Sequence, residues 1–204
     1  MSDPMSYNGG TVLAMNGKNC CAIASDLRFG VNNIFVGRMH RIFPVGKKIL
    51  VGYSGLASDC QTLNETIQLQ TNLYSLREGR QISPHALTNL ISTDLYEHRF
   101  GPLFVEPIVC GLDEKNEPYV CGADLLGCLS KPTDFIVSGT GMEMMMGACE
   151  SFWRPDMEPE ELLEVISQCF LAGLDRDALS GWGCVVHVIT PTHTRTVYLK
   201  SRQD

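Results

Sequence analysis

Thr11-Val-Leu-Ala-Met15, then Asn16-Gly17, then Cys20-Cys-Ala-Ile-Ala24 is the stretch on which the fold turns. Two short apolar runs flank an Asn-Gly step. That step is the strongest short-range hairpin signal, because a tight hairpin turn needs positive φ at its centre and Asn and Gly tolerate it. The pattern predicts an antiparallel hairpin. Arg41-Ile-Phe-Pro-Val45, a Gly46-Lys47 turn and Lys48-Ile-Leu-Val-Gly-Tyr53 repeat it. After Ser54-Gly55 the period changes. Leu56, Cys60, Leu63 and Ile67 share one stripe of a helix that runs to Glu78, where Gly79 fits a C-terminal stop. Ser83-Pro84 opens a second helix, with Leu87, Leu90, Ile91 and Leu95 on its apolar face.

Strands return after Gly101-Pro102. Residues 104–112 and 119–123 flank the polar Asp113-Glu-Lys-Asn-Glu117, and Phe135-Ile-Val137 is a further strand. A Met-rich stretch, residues 142–149, reads as a short helix. Glu158-Pro-Glu-Glu161 places acid where a helix dipole favours it, and Leu162, Leu163, Ile166, Cys169 and Phe170 form that helix's buried face. Residues 183–190 and 194–199 close the chain as strands. Strands and helices come in blocks and hairpins dominate, which argues for an α+β fold with antiparallel sheets. No linker or repeat divides the 204 residues.

Hydrophobic residues make up 44% of the chain and charged ones 19%, enough apolar surface for a sizeable core. The net charge of −7 argues against a nucleic-acid binder, which needs a basic face. No apolar run is long enough to span a membrane, and residues 1–10 lack the basic and apolar regions of a secretory signal. The nine cysteines, at 20, 21, 60, 110, 121, 128, 149, 169 and 184, include no Cys-x-x-Cys and sit among apolar neighbours. They read as reduced and buried. The five histidines are scattered, so no zinc site is expected.

The chemistry-bearing residues are few. Gly139-Thr-Gly141 and Gly181-Trp-Gly183 lack the spacing of a dinucleotide or P-loop motif and read as tight turns. Asp26 ends an apolar strand two residues before Arg28. Asp175-Arg-Asp177-Ala-Leu-Ser180-Gly gathers carboxylates, an Arg and a Ser at a helix end. Local side-chain-to-backbone bonding accounts for such a cluster, and the same arrangement can support an active site.

Five pieces stand in one order: Asn8-Gly-Gly-Thr11, Ala22-Ile-Ala-Ser-Asp26-Leu-Arg28, Val51-Gly-Tyr-Ser-Gly55-Leu-Ala57, Phe135-Ile-Val-Ser138-Gly-Thr140 and Asp175-Arg-Asp-Ala-Leu-Ser-Gly181. This ordered set resembles the beta subunits of the 20S proteasome, which are N-terminal nucleophile hydrolases. Glu97-His-Arg-Phe-Gly-Pro102, Asp124-Leu-Leu-Gly-Cys128 and Arg154-Pro-Asp-Met-Glu-Pro-Glu160 narrow the resemblance to one subunit type. It implies a four-layer αββα sandwich, two antiparallel sheets between helical layers, with residues 1–9 as an N-terminal extension to a single domain of residues 10–204.

Active relatives use a processed N-terminal Thr whose α-amine serves as base, tuned by an Asp and a Lys, with a backbone N–H in a Gly turn holding the oxyanion. The resemblance carries the Asp onto Asp26, the oxyanion turn onto Gly55, the supporting Ser onto Ser138, and the later Asp and Ser onto Asp177 and Ser180. The Lys position falls on Arg41, a poor proton acceptor. The nucleophile position falls on Gly10, which has no side chain. Thr11 lies one residue late, where strand alternation turns a side chain to the opposite face; it is the rival nucleophile.

The expectation is therefore a non-catalytic structural subunit. It would sit in the beta ring between type-2 and type-4 neighbours, beneath an alpha ring and against an opposing beta ring. With them it would enclose the chamber of ubiquitin-dependent degradation in cytoplasm and nucleus. No cofactor is expected beyond a weak structural Mg²⁺ near Asp177, Ser180 and Asp204. The alternative is a threonine peptidase that uses Thr11 after N-terminal processing.

Overall fold

The computed structural model describes residues 3–203. In chain order the strands and helices are β1 (Thr11–Asn16), β2 (Cys21–Asp26), β3 (Arg28–Val31), β4 (Ile34–Arg38), β5 (Ile42–Gly46), β6 (Ile49–Gly55), α1 (Ala57–Glu78), α2 (Pro84–Glu97), β7 (Val105–Leu112), β8 (Pro118–Ala123), β9 (Leu129–Ser130), β10 (Phe135–Gly139), α3 (Met142–Phe152), α4 (Pro159–Leu174), β11 (Cys184–Ile189) and β12 (Thr194–Leu199). Every ladder is antiparallel. One five-stranded sheet runs β10-β1-β2-β11-β12 and another β5-β6-β7-β8-β9.

Strand alternation builds the layers. On β1, Leu13 and Met15 pack with Met145, Leu162, Ile166 and Phe170 of α3 and α4, while Val12 and Ala14 pack with Ile108, Cys110 and Val120 of the second sheet. β1 is buried throughout because both of its faces are covered. On the far side Val51, Tyr53 and Val109 meet Leu63 and Ile67 of α1 and Leu87, Ile91 and Leu95 of α2. Three apolar layers separate helices, sheet, sheet and helices. The fold is the expected α+β sandwich.

A third, two-stranded sheet of β3 and β4 stands apart from the sandwich. Ile34, Phe35 and Val36 on it are exposed, so the segment carries no one-sided apolar pattern that would reveal a strand. The hairpin turn after β1 also differs in detail. Asn16 stays in the strand, Gly17 N–H donates to Cys20 O, and the positive φ falls on Asn19. The helix stops behave as read. Gly79 closes α1 in the left-handed conformation, and the Ser83 hydroxyl accepts from Ala86 N–H at the start of α2.

Candidate functional site

The carboxylate of Asp26 closes β2 and organises the site. Its Oδ1 accepts from Thr11 N–H (3.1 Å) and from Arg41 Nε (3.0 Å). Its Oδ2 accepts from the backbone N–H of Arg28 and Gly181, both at 3.2 Å. Asp26 and Arg41 are wholly buried. Burial pushes the Asp26 carboxyl above its ordinary range, and the Arg41 guanidinium with the three backbone N–H groups pulls the other way.

Arg41 does more than pair with Asp26. Its Nη2 donates to Gly9 O and to Arg28 O, each at 2.7 Å. The guanidinium also fills the space beside Gly10: a Cβ built there would lie 2.2 Å from Arg41 Cζ. With φ at +113°, Gly10 combines a left-handed backbone with a position that no side chain can share with Arg41.

Thr11 faces the other way. It continues the β1 face of Leu13 and Met15, is fully buried, and its Oγ1 accepts from Gly141 N–H at 2.9 Å, next to α3. Its own nitrogen is a peptide N–H held by Asp26. The one-residue shift thus sends its hydroxyl toward the helical layer, away from Arg41.

Gly55 closes β6 with φ at +110°, and a Cβ there would come 2.4 Å from Phe104 O. Around Asp177, Oδ2 accepts from Ser180 Oγ and Oδ1 accepts from Leu179 N–H. Ser138 does not join them. Its side chain points into the gap between the sheets, where Oγ meets Ser54 Oγ and donates to Glu106 Oε2. Asp177 instead takes the hydroxyl of Thr140, 2.6 Å away. β10 ends at Gly139, whose positive φ breaks the strand alternation, so Thr140 does not follow Ser138 into the gap between the sheets. Thr140, Glu106 and Ser54 are the members that the sequence reading missed; alternation along Phe135-Ile-Val-Ser138 could have placed Ser138 on the inter-sheet face.

The Asp177 carboxylate accepts from three donors, Ser180 Oγ, Leu179 N–H and Thr140 Oγ1. Asp204 lies outside the described residues, and among those described no cluster of three His, Cys, Asp or Glu side chains could hold a metal. Residues 201 and 202 fold back on the same loop. Gly183 N–H donates to Ser201 Oγ, Trp182 N–H to Arg202 O, and Arg202 Nη1 to Asp175 O.

Beside Arg41 lies a cavity of about 580 Å³ with Phe29, Met39, Phe43, Tyr53 and Asn64 among its walls. Arg41 Nη1, Tyr53 Oη and Asn64 Oδ1 are buried without a protein partner. The walls mix apolar side chains with polar ones, His40, Gln61 and Glu65 among them. Position 10 presents no side-chain nucleophile toward the cavity, and Arg41 is a cation in place of a proton acceptor.

An antiparallel αββα sandwich with this Asp-and-Gly-turn site at one end defines the class. The chain matches the profile described as proteasome subunit over residues 6–189, and it belongs to that family. It is 50% identical over 206 residues to proteasome subunit beta type-3 of Saccharomyces cerevisiae, covering 100% of both chains. It is also 50% identical to the probable proteasome subunit beta type-3 of Schizosaccharomyces pombe over 201 residues, 98% of each chain. To the beta type-3 subunit of Dictyostelium discoideum it is 50% identical over 202 residues, again 98% of each.

Proposed function

We propose that this chain is a non-catalytic, structural beta subunit of the proteasome core particle. The observation that carries the reading is the Arg41 guanidinium standing where a side chain at position 10 would be. An N-terminal nucleophile needs a hydroxyl at that place, a free amine on it and a group that tunes the amine. Here the hydroxyl is missing, and the tuning cation is a fixed guanidinium bonded to Asp26, Gly9 and Arg28. The chain would help form the beta ring, between type-2 and type-4 neighbours and beneath an alpha ring. The chamber so enclosed would degrade ubiquitin-tagged proteins in cytoplasm and nucleus.

The alternative, a peptidase built on Thr11, is opposed by the burial of that residue and by the bond from Gly141 N–H to its hydroxyl. Thr11→Ala in the assembled particle separates the two. Every peptidase activity stays within error of the parent if the subunit is structural. Loss of one activity class with normal assembly would establish Thr11 as a nucleophile. The intact mass of the chain within the particle is the companion measurement: a chain starting at Thr11 rejects the structural reading.

A further inference from the structure

We infer that Trp182 is a latch that ties the C-terminal tail, residues 200–203, to the two-stranded ribbon of β3 and β4. Its indole, stacked on Phe35, holds residue 182 in a left-handed backbone conformation, and that conformation seats the tail. A ribbon that moves away from the indole releases the tail. The inference concerns how two parts of the molecule are coupled and stands whether or not the chain is catalytic.

The loop between α4 and β11 ends in three successive positive φ angles, +138° at Gly181, +58° at Trp182 and +111° at Gly183. Glycine adopts such angles freely. A bulky residue in the left-handed region is strained and stays there only where its surroundings impose it. Two bonds to the tail depend on this stretch of backbone. Trp182 N–H donates to Arg202 O at 3.2 Å, and Gly183 N–H donates to Ser201 Oγ at 2.8 Å. Gly181 is fixed on the opposite side, where its N–H donates to Asp26 Oδ2 and its O accepts from Leu27 N–H. The loop is therefore anchored at residue 181, and the tail rests on residues 182 and 183.

The ribbon supplies the restraint. Phe35 of β4 stacks on the indole with ring centroids 4.4 Å apart and planes 11° from parallel. The Arg28 guanidinium lies 5.9 Å from the indole centroid, within cation–π reach. Arg28 also donates to Leu179 O on the loop and to Asn32 O at the turn of the ribbon, so one side chain spans both. Gly30 makes room for it. Gly30 pairs with Phe35 across the ribbon, and a Cβ there would lie 2.3 Å from Arg28 Nη1. β4 buries little of its own surface, and Ile34 and Val36 on either side of Phe35 are exposed. Segments with few buried contacts open at low cost. The Phe35–Trp182 stack is thus the joint. Once it parts, residue 182 relaxes toward extended backbone, and the N–H groups of residues 182 and 183 turn away from the tail.

Amide hydrogen exchange in the full-length chain tests the latch, read as protection factors so that intrinsic rates of the variants cancel. In Phe35→Ala the Gly183 amide loses protection by about fivefold or more. The amide of Val186, in a strand paired on both sides, is unchanged. Adding Trp182→Gly to Phe35→Ala restores most of the protection at Gly183, because glycine keeps the left-handed backbone with no ring to hold it. Unchanged protection of Gly183 in Phe35→Ala overturns the inference, and so does the absence of recovery in the double variant. Should Val186 lose protection as well, the ribbon change has disturbed the sheet, and single variants at position 182 decide. Trp182→Ala keeps the strain and removes the ring, so it protects Gly183 less well than Trp182→Gly, by about threefold or more. Equal protection in those two variants rejects the latch.

Discussion

At the scale of single residues, Asp26, Arg41 and Gly10 behave as one unit. Removing one partner of a buried ion pair leaves the other charge without compensation, at a cost of about 3–5 kcal/mol. Asp26→Ala strands the Arg41 guanidinium in that way and also orphans the N–H groups of Thr11, Arg28 and Gly181. The expected result is a loss of stability of that size in denaturant unfolding, with incorporation into the particle reduced and turnover per assembled particle unchanged. Gly10→Ala adds a methyl into the guanidinium and should cost on the order of 1–3 kcal/mol by overpacking. In a double-mutant cycle with Arg41→Lys the two changes should be coupled, by about 0.5–3 kcal/mol, because a lysine withdraws the atoms that collide. Strict additivity in the cycle would show that the guanidinium does not occupy the place of a side chain at position 10. Asp26 and Gly55 each close a strand and Asp177 bonds Ser180 three residues on, a local setting that sequence can show, but their grouping as one site came from the resemblance. Thr140 was not legible. Its role depends on the positive φ at Gly139, and neighbouring hydroxyls in Ser138-Gly-Thr140 look alike until the direction of each is known.

Among the secondary-structure elements, helix ends were the most legible features and the β3–β4 ribbon the least. The stops at Gly79 and Ser83 follow from local backbone chemistry, so sequence alone placed them. Ser83→Ala removes the hydroxyl that accepts from Ala86 N–H, which should cost about 1 kcal/mol in unfolding free energy. No measurable change in the urea midpoint would mean that water replaces the cap at no cost. β3 and β4 escaped because the buried face of β3 carries Arg28 and Gly30 in place of apolar side chains, and β4 is largely exposed, so neither shows an apolar alternation. The order of the ribbon comes from contacts distant in sequence. Phe35 stacks on Trp182 with ring centroids 4.4 Å apart, and Arg28 sits over the same indole. The methionine helix shows the same limit. Met145 is buried against α4, whereas Met142, Met144 and Met146 are exposed, a division fixed by which face of α3 meets the sandwich.

Across the whole molecule, the cysteines record the layering. Cys20, Cys149, Cys169 and Cys184 lie between the first sheet and its helices, Cys21 and Cys110 between the two sheets, and Cys60 beneath α1. With Cys121 these eight are buried; Cys128 is exposed. Burial raises the thiol of Cys20 to about 11 and that of Cys60 to about 12, so neither supplies thiolate near neutral pH. The thiolate is the species that attacks a disulfide reagent. Titrating the native chain with an aromatic disulfide reagent at pH 8 should therefore show one fast thiol, abolished in Cys128→Ser. The other eight should appear together on unfolding, because the three layers share the strands of both sheets and open as one unit. At pH 9 the slow eight should still be limited by unfolding. A second fast thiol in the native chain, or stepwise release of the buried set as denaturant is added, would mean that one layer opens independently. The three-layer core would then not be a single cooperative structure.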